Sequence, residues 1–422
     1  MEKVGVNLDE GTQEAIMTRW RHFESDSLGR PSIGLAQISL GLAFVSGFGA
    51  FSGIFSIPVG VYFALQTLLV AAALLTGSRG PLPRLRVPVP TVLFVAWWCF
   101  SYFWSSAPWA FRGVSVQDLA SLVVVVLFIQ LLSQRRFFRT LIWAGYCSMV
   151  MIAVALVIQP RKAYPDTGPL VGLVGGFVHK NYMASAMILT TVTVLCFESR
   201  VAVRRLVVVL SIIIVVLGKT TTGLASFMLA FVVLAFLVRM TRVTQYLGRA
   251  SSMILLAAGV VLTATFAQLS RGLVGLVGKD TTFSSRTLIW DSVVERVKHR
   301  PLTGYGYGAF VNAYVDPAAT INRSIGFGVT SAHNGPLELL LRLGIVGLGL
   351  YLLQFALTVR RGWRLQKRDE PAGRVILLFC VIVCTFAFSE SFVMLGIWFA
   401  LLSALSLDPL ASAPTSSAQQ SG

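Results

Sequence analysis

Charged side chains are scarce in this chain. Asp, Glu, Lys and Arg make up only 13% of its 422 residues, and there are only 4 histidines and 5 cysteines. A soluble domain carries about 25% charged residues, so this composition excludes an ordinary soluble protein. Hydrophobic residues reach 55% instead, and the mean hydropathy is +0.75. Both values indicate an integral membrane protein.

The few cysteines and histidines exclude several kinds of site. All the cysteines lie inside apolar runs, where they behave as small apolar residues and not as disulfide or zinc partners. The histidines form no His-Glu-x-x-His motif, which excludes a metalloprotease of that type. Gly218-Lys219-Thr220 is no nucleotide-binding loop, because the first glycine of that motif falls at Ile213. We expect no metal ion and no cofactor.

Long apolar runs predict an all-α polytopic membrane protein. A helix needs roughly 20 apolar residues to cross the bilayer core, and it satisfies its own backbone hydrogen bonds there. The runs do not alternate in polarity, which argues against a membrane barrel. We expect about twelve spans. They lie at 33–76 as two helices broken near 47–53, at 88–104, 116–133, 140–159, 182–197, 201–218, 222–238, 251–269 and 337–359, and at 374–407 as a hairpin turning at Ser389-Glu390-Ser391.

The distribution of arginine and lysine predicts the orientation. These residues gather at one set of helix ends, so the positive-inside rule puts both termini in the cytoplasm. The same bias accounts for the net charge of +17, and its expected partners are membrane lipids, not nucleic acid. We expect a cytoplasmic segment at 1–32, a transmembrane domain at 33–407 and a disordered cytoplasmic tail at 408–422.

One long polar segment interrupts the apolar pattern. Residues 270–336 are predicted to form a large external loop between the ninth and tenth spans. A capped helix is predicted near Arg286, the glycine run at 304–308 predicts an irregular turn, and Pro336 suits the first turn of the next helix. Because the loop also carries His333, we expect the chemistry here.

Other basic residues lie on the same predicted side. Lys219 follows an apolar run that covers only about 18 Å, at about 1.5 Å per residue. It is therefore expected within the membrane profile, where an ionisable group indicates a functional site or an internal pair. His179 and Lys180 precede the sixth span. Contact with lipid headgroups is the alternative for these three residues.

For His333 and Arg286 in the loop, a purely structural role is the alternative to a functional one. His333 is either functional or a cap of the following helix. Arg286 is either functional or paired with Asp280 or Asp291.

The roles of two acidic residues near the predicted site, Glu338 and Glu390, have alternatives as well. Arg342 lies one turn beyond Glu338, and this i,i+4 order favours a structural pair within the tenth span. The sequence leaves Glu390, in the last turn, undecided between function and structure.

Several short motifs follow one another on the predicted external side. They are His179-Lys180-Asn181, the turn at Lys219, Arg286-x-x-x-Trp290, the run 301–306, and Ala332-His333-Asn334 ahead of 343–348. In this order they resemble the O-antigen ligase and polysaccharide polymerase superfamily. The resemblance is strongest over 176–351. Lys180 in the first motif is most similar to the exopolysaccharide polymerase branch, typified by the succinoglycan polymerase.

The resemblance implies a GT-C-like membrane glycosyltransferase at the periplasmic face of the bacterial inner membrane. Its donor is an undecaprenyl diphosphate-linked oligosaccharide. The acceptor is the growing polysaccharide in a polymerase and lipid A core in a ligase, and Lys180 favours the polymerase. A flippase and a chain-length regulator are the protein partners that such an enzyme implies.

The residues suit this chemistry. A departing diphosphate gains charge in the transition state, which fixed cations stabilise. We expect Arg286 to bind phosphate with two hydrogen bonds and Lys219 to act as a point charge, with Lys180 and His179 beside them. Ligase relatives often hold arginine at the Lys219 position. His333 is expected to take the proton of the attacking hydroxyl or to orient it. Supporting roles are expected for Asn334, Asn181, Trp290 and Tyr305.

A secondary transporter or a lipid-linked sugar flippase is the alternative of another class. A transporter predicts broken helices in matching halves and charges near the midplane, whereas this chain gathers its charges at one face and shows no internal repeat. The run 303–306 is similar to a potassium filter. A long polar stretch separates it from the next helix, which argues against a channel.

Overall fold

The computed structural model describes residues 30–47, 59–77, 85–166, 171–247, 282–310, 312–368, 370–394 and 396–407. Within these ranges the chain is helical and has no strand, which confirms the all-α class. The α-helices longer than one or two turns are α1 (Arg30–Gly47), α2 (Val59–Gly77), α3 (Val89–Phe100), α4 (Phe111–Leu131), α5 (Gln134–Ile158), α6 (Lys180–Phe197), α7 (Val201–Leu217), α8 (Thr221–Leu247), α9 (Thr282–His299), α10 (Ala318–Ile325), α11 (Gly335–Gln366), α12 (Pro371–Ala387) and α13 (Gly396–Ala404).

The apolar helices make this a multi-pass membrane protein. Helices long and apolar enough to cross a bilayer lie at Gln134–Ile158, Lys180–Phe197, Thr221–Arg239 and Gly335–Gln366. Shorter apolar helices lie at Ser32–Ser46, Leu65–Thr76, Val89–Trp104, Asp118–Leu131 and Pro371–Ala387. Every predicted span except 251–269 coincides with a described helix.

Three predictions fall wholly or largely outside the described residues. These are the ninth span at 251–269, the tail at 408–422, and all but the last residues of the segment 1–32. The number of crossings and the place of the long loop between the ninth and tenth spans therefore stay predictions.

Helix α6 lies in the middle of the bundle. It packs against α5, α7, α8 and α12, and most of its side chains are buried. Small residues let neighbouring backbones approach in a membrane bundle. Gly145 of α5 is an example, because a Cβ added there would lie 2.2 Å from the Thr190 hydroxyl of α6. This packing fixes the N-terminal end of α6, where the His179 motif lies.

Helix α11 is broken near its beginning. Gly344 has φ 67° and ψ −169°, which is not helical. Backbone groups freed at such a break need other partners in a membrane protein. The Ile345 N–H donates to the Pro301 carbonyl at 2.8 Å, and the Trp97 indole N–H donates to the Leu343 carbonyl at 2.9 Å. The backbone groups freed at the break thus form hydrogen bonds with groups from outside the helix.

The polar residues 282–334, which we call the cap, supply further partners at this break. The N–H groups of Tyr305 and Gly306 donate to the carbonyls of Leu341 and Arg342 at 2.9 and 2.8 Å. Gly306 has φ 88°, in the left-handed region that favours glycine. The predicted irregular turn is therefore the loop by which the cap docks onto α11.

The cap has a small apolar core of its own. The predicted helix near Arg286 is present as α9, which packs against α10 and α11. Ile289, Val293 and Phe310 are buried between these elements. The cap is thus a folded unit fixed to the end of α11.

Candidate functional site

The carboxylate of Glu390 lies at the centre of the polar residues. Glu390 stands in the turn between α12 and α13, and its side chain is only 9% exposed. Asn181 Nδ2 donates to Glu390 Oε1 at 2.6 Å, and Arg286 Nη2 lies 3.6 Å from the same oxygen. His333 Nδ1 lies 3.7 Å from the other oxygen, Oε2. Residues from α6, the cap and the last turn therefore converge on one acid.

Arg286 reaches this acid from the first turns of α9. Its Nη1 also donates to the Ser389 carbonyl at 2.9 Å. In the structure Arg286 pairs with Glu390 and not with Asp291. Asp280 lies outside the described residues. The side chain is 27% exposed, so it is partly open to a ligand.

His333 has an unusual backbone. Its φ is 48°, an uncommon value for a residue other than glycine that marks strain at many functional sites. Its backbone N–H donates to Ser331 Oγ at 3.1 Å. The capping role belongs to Asn334, whose Oδ1 accepts from the Leu337 N–H at 3.1 Å. The imidazole is therefore not used as a helix cap.

His179 caps α6 through its own ring. Nδ1 accepts a hydrogen bond from the Asn181 N–H at 3.2 Å, so this nitrogen carries no proton. Burial lowers the pKa of His179, the nearby charges of Lys180, His333 and Arg286 lower it further, and Glu390 opposes them. The expectation that His179 helps to bind the diphosphate stays a prediction. The residue is a neutral cap that can donate only from Nε2.

The two lysines lie at the margin of this cluster. Lys180 Nζ is half-buried and donates to the Val171 carbonyl at 3.4 Å. Lys219 stands at the α7–α8 turn with φ 48°, and its side chain is exposed. Among the described residues, its ammonium makes no hydrogen bond or ion pair. The neighbouring Thr222 accepts from Ser389 Oγ at 3.0 Å, which ties this turn to the cluster.

Of the two expected supporting aromatics, only Trp290 lies beside the cluster. Its indole N–H donates to the carbonyl of Ala332, the residue before His333, at 3.0 Å. Tyr305 is buried in the cap, its hydroxyl donates to the Arg296 carbonyl at 3.2 Å, and the Arg296 and Arg300 guanidinium groups lie 5.4 and 4.9 Å from its ring centre. Tyr305 thus supports the fold of the cap and makes no contact with Glu390.

The expected pair of Glu338 and Arg342 is present at 2.6 Å and belongs to a larger network. Glu338 Oε2 also accepts from the Ala332 N–H at 2.7 Å. Arg342 Nη1 donates to the Tyr307 carbonyl at 3.2 Å, and the Tyr307 hydroxyl donates to Asp118 at 2.8 Å. The network holds the chain just before His333 against α11 and α4.

Glu390 is ionised in this setting. Burial raises its pKa, but the close approach of His333 and the charge of Arg286 outweigh that cost, and the pKa lies below the ordinary value of glutamate. Within the described ranges, no group of three or more His, Cys, Asp or Glu side chains could hold a metal ion. The arrangement offers a guanidinium for an anion and a partly open imidazole for a proton.

Comparison with known proteins covers part of this site. A family model described as O-Antigen ligase matches residues 206–352. The matched segment includes Lys219, Arg286 and His333, whereas Asn181 and Glu390 lie outside it. A search of curated proteins gave no match.

Proposed function

Because residues 206–352 carry an O-antigen ligase family domain, we propose that this protein is a membrane glycosyltransferase. Its donor is a saccharide on undecaprenyl diphosphate, and its acceptor is a sugar hydroxyl. The reaction takes place at the periplasmic face of the inner membrane, with both termini in the cytoplasm. The bias of arginine and lysine supports this orientation.

The observation that carries the proposal is the meeting of Arg286 and His333 on one buried acid. Arg286 Nη2 and His333 Nδ1 lie 3.6 and 3.7 Å from the two oxygens of Glu390. A cation and a proton acceptor held together are what transfer from a diphosphate to a hydroxyl requires. The family domain spans both residues.

The proposed step forms one bond and breaks one. The acceptor oxygen attacks the anomeric carbon of the donor sugar, and the bond from that carbon to the diphosphate oxygen breaks. His333 takes the hydroxyl proton, and the electron pair of the broken bond leaves with the diphosphate. Arg286 stabilises this growing charge, with Lys219 and Lys180 at the margin and the Nε2–H of His179 as a neutral donor. No step needs a metal ion.

We favour an exopolysaccharide polymerase, which transfers the donor saccharide to another sugar chain. The support for this choice is Lys180 in the first motif. A ligase that transfers the glycan to lipid A core is the second candidate, and the description of the matching family favours it. The two reactions differ only in the acceptor. If the protein is a polymerase, its protein partners are a flippase and a chain-length regulator.

Reconstitution separates the two candidates. The purified protein in proteoliposomes receives undecaprenyl diphosphate-linked repeat units, first alone and then with lipid A core. A ladder of lengthening products on the donor alone supports a polymerase. A single transfer that appears only after lipid A core is added supports a ligase.

The same assay tests the alternative of another class. A folded protein that forms no glycosidic bond with either acceptor, but moves the labelled lipid-linked sugar across the liposome membrane, is a flippase or transporter. That result would overturn the proposal. Protein inactivated by His333→Ala is the control for non-enzymatic transfer.

A further inference from the structure

Resting on the proposed transfer reaction, we propose that Glu390 is the positioning residue for His333. Its carboxylate holds the imidazole with the proton on Nδ1, so that Nε2 is the nitrogen that takes the proton of the acceptor hydroxyl. Glu390 lies outside the segment that the family domain covers, and the sequence left its role undecided.

The first step of the argument is the orientation of Asn181. An ionised carboxylate only accepts hydrogen bonds, so Asn181 must turn its NH2 group toward Glu390, where the Nδ2–Oε1 distance is 2.6 Å. The Asn181 carbonyl oxygen then accepts from the Thr220 hydroxyl. The Thr220 oxygen in turn accepts from the Gly223 N–H at 3.0 Å. Every proton along this chain points toward Glu390.

The two oxygens of Glu390 have different neighbours. Oε1 faces Asn181 at 2.6 Å and Arg286 at 3.6 Å. Oε2 faces His333 Nδ1 at 3.7 Å. His179 and Tyr182 are further ionisable groups near this acid: His179 lowers the pKa of Glu390, and the charge of Glu390 acts on Tyr182. One carboxylate thus connects the group that binds the anion with the group that accepts the proton.

The second step concerns the imidazole itself. His333 Nδ1 is buried and makes no hydrogen bond at the present distance. A carboxylate facing it can stabilise only a nitrogen that carries a proton, and a neutral imidazole with that proton has Nε2 free as the base. At 3.7 Å the contact is longer than a hydrogen bond, as catalytic contacts commonly are before substrate binds.

The third step is the exposure of the ring. The His333 side chain is 39% exposed, whereas that of Glu390 is 9% exposed. The Nδ1 edge therefore faces the protein, and the remaining edge is open to an acceptor. The peptide bond before His333 is held at both of its polar atoms, because Ser331 Oγ accepts from the His333 N–H and the Trp290 indole N–H donates to the Ala332 carbonyl. What is left to determine is which ring nitrogen of His333 carries the proton, and Glu390 determines this.

The variant Glu390→Gln should reverse the tautomer of His333. Its amide oxygen must face the NH2 group of Asn181, which places its own NH2 group against His333 Nδ1. That contact requires Nδ1 to be an acceptor, so the proton moves to Nε2, and the base is lost. We expect kcat to fall about 100-fold to 10,000-fold, as an amide in place of a carboxylate does in other His–carboxylate pairs. The KM for the lipid-linked donor should change by less than about threefold, because Arg286 keeps its hydrogen bond to the Ser389 carbonyl and still faces an oxygen at position 390.

The tautomer is measured directly by 15N NMR on protein labelled only at histidine. The chain has 4 histidines, and the His333→Ala spectrum identifies the signals of His333. We expect the Nδ1–H form in the wild type and the Nε2–H form in Glu390→Gln. Glu390→Asp keeps the charge and should return the Nδ1–H form together with at least about a tenth of the wild-type kcat. Glu295→Gln, at an exposed Glu295–Lys298 pair on α9, is the matched control and should alter neither kcat nor the tautomer.

These two readouts separate the positioning role from the proposed reaction. If the wild type makes no glycosidic bond but the tautomer still reverses in Glu390→Gln, the reaction is wrong and the positioning stands. If the wild type is active and Glu390→Gln keeps both its kcat and its tautomer, the positioning is wrong. A Glu390→Gln protein with unchanged kcat and tautomer but a raised donor KM would show that Glu390 acts only through Arg286, which also overturns it.

Discussion

Arg286, on the first helix of the cap, lies 3.6 Å from Glu390, in the turn between α12 and α13. The same guanidinium donates to the Ser389 carbonyl. The cation proposed to bind the diphosphate therefore also fixes the cap to the membrane helices. A guanidinium has five N–H donors, so it can keep these contacts while its exposed part binds phosphate.

Replacing Arg286 by lysine should lower activity strongly despite the conserved charge. Lysine supplies a point charge and cannot bind two phosphate oxygens in parallel while keeping its contact with Ser389. We expect kcat/KM for the lipid-linked donor to fall about 100-fold, measured by product ladders from proteoliposomes. Arg323→Lys on α10, where the arginine is exposed, is the matched control. Equal activity of the two variants would contradict the role of Arg286.

Replacing His333 by alanine should abolish transfer and leave the protein folded in the membrane. The imidazole is the proposed proton acceptor, and it does not cap α11. We expect a loss of at least about 100-fold in kcat, with an unchanged melting temperature in detergent. His299→Ala, at an exposed histidine at the end of α9, should behave as the wild type. Persistent transfer by the His333 variant would show that another group takes the proton.

Replacing Lys219 by alanine should weaken donor binding. Its ammonium is exposed at the rim of the cluster and has no partner among the described residues. We expect the donor KM to rise about tenfold at low salt and less at high salt, because salt screens an exposed charge. Lys219→Arg should restore the wild-type KM, and Lys298→Ala in the cap serves as control. A KM that does not change would indicate that Lys219 only contacts headgroups.

The positions of the helices could be read from hydropathy alone. The runs at 201–218 and 222–238, for example, correspond closely to α7 and the apolar part of α8. This success has a simple physical cause, since only a helix satisfies its own backbone in the bilayer. Helix ends were less accurate. Helix α5 begins at Gln134 and not at 140, because charged residues are tolerated in its first turns.

The break at Gly344 could not be read from the sequence. Gly344 stands among leucines, isoleucine and valine with no sign of a break, and the groups that hydrogen-bond the freed backbone, such as the Pro301 carbonyl and the Trp97 indole, lie far away along the chain. A local pattern carries no sign of such partners.

The site was predictable in part. Arg286 and His333 could be proposed from the sequence, because they lie in the one long polar segment and in motifs whose order resembles a known family. The central position of Glu390 could not be predicted, because its partner Asn181 is 209 positions away. The contact between Tyr307 and Asp118 was missed for the same reason, as the two are 189 positions apart. The helix cap made by the His179 ring was also missed, because a basic motif does not indicate such a use.

A methyl group at Gly344 should destabilise the protein. A Cβ there would lie 2.1 Å from the Leu302 carbonyl oxygen, at φ +67°. Strain and overlap together should cost roughly 3 kcal/mol, and the melting temperature in detergent should fall accordingly. Gly349→Ala, in the same helix with nothing within 4 Å of the added Cβ, is the control. It should be neutral or slightly stabilising, so equal melting temperatures would contradict the prediction.

The same break at Gly344 constrains how substrate arrives. The cap replaces backbone hydrogen bonds of α11, so lifting it would leave several amides without partners, at a cost of several kcal/mol for each. The cap is therefore fixed in place and does not open as a hinged lid. For the proposed reaction, this means that a lipid-borne donor enters sideways between helices, with its tail still in the bilayer, while the acceptor sugar comes from the water.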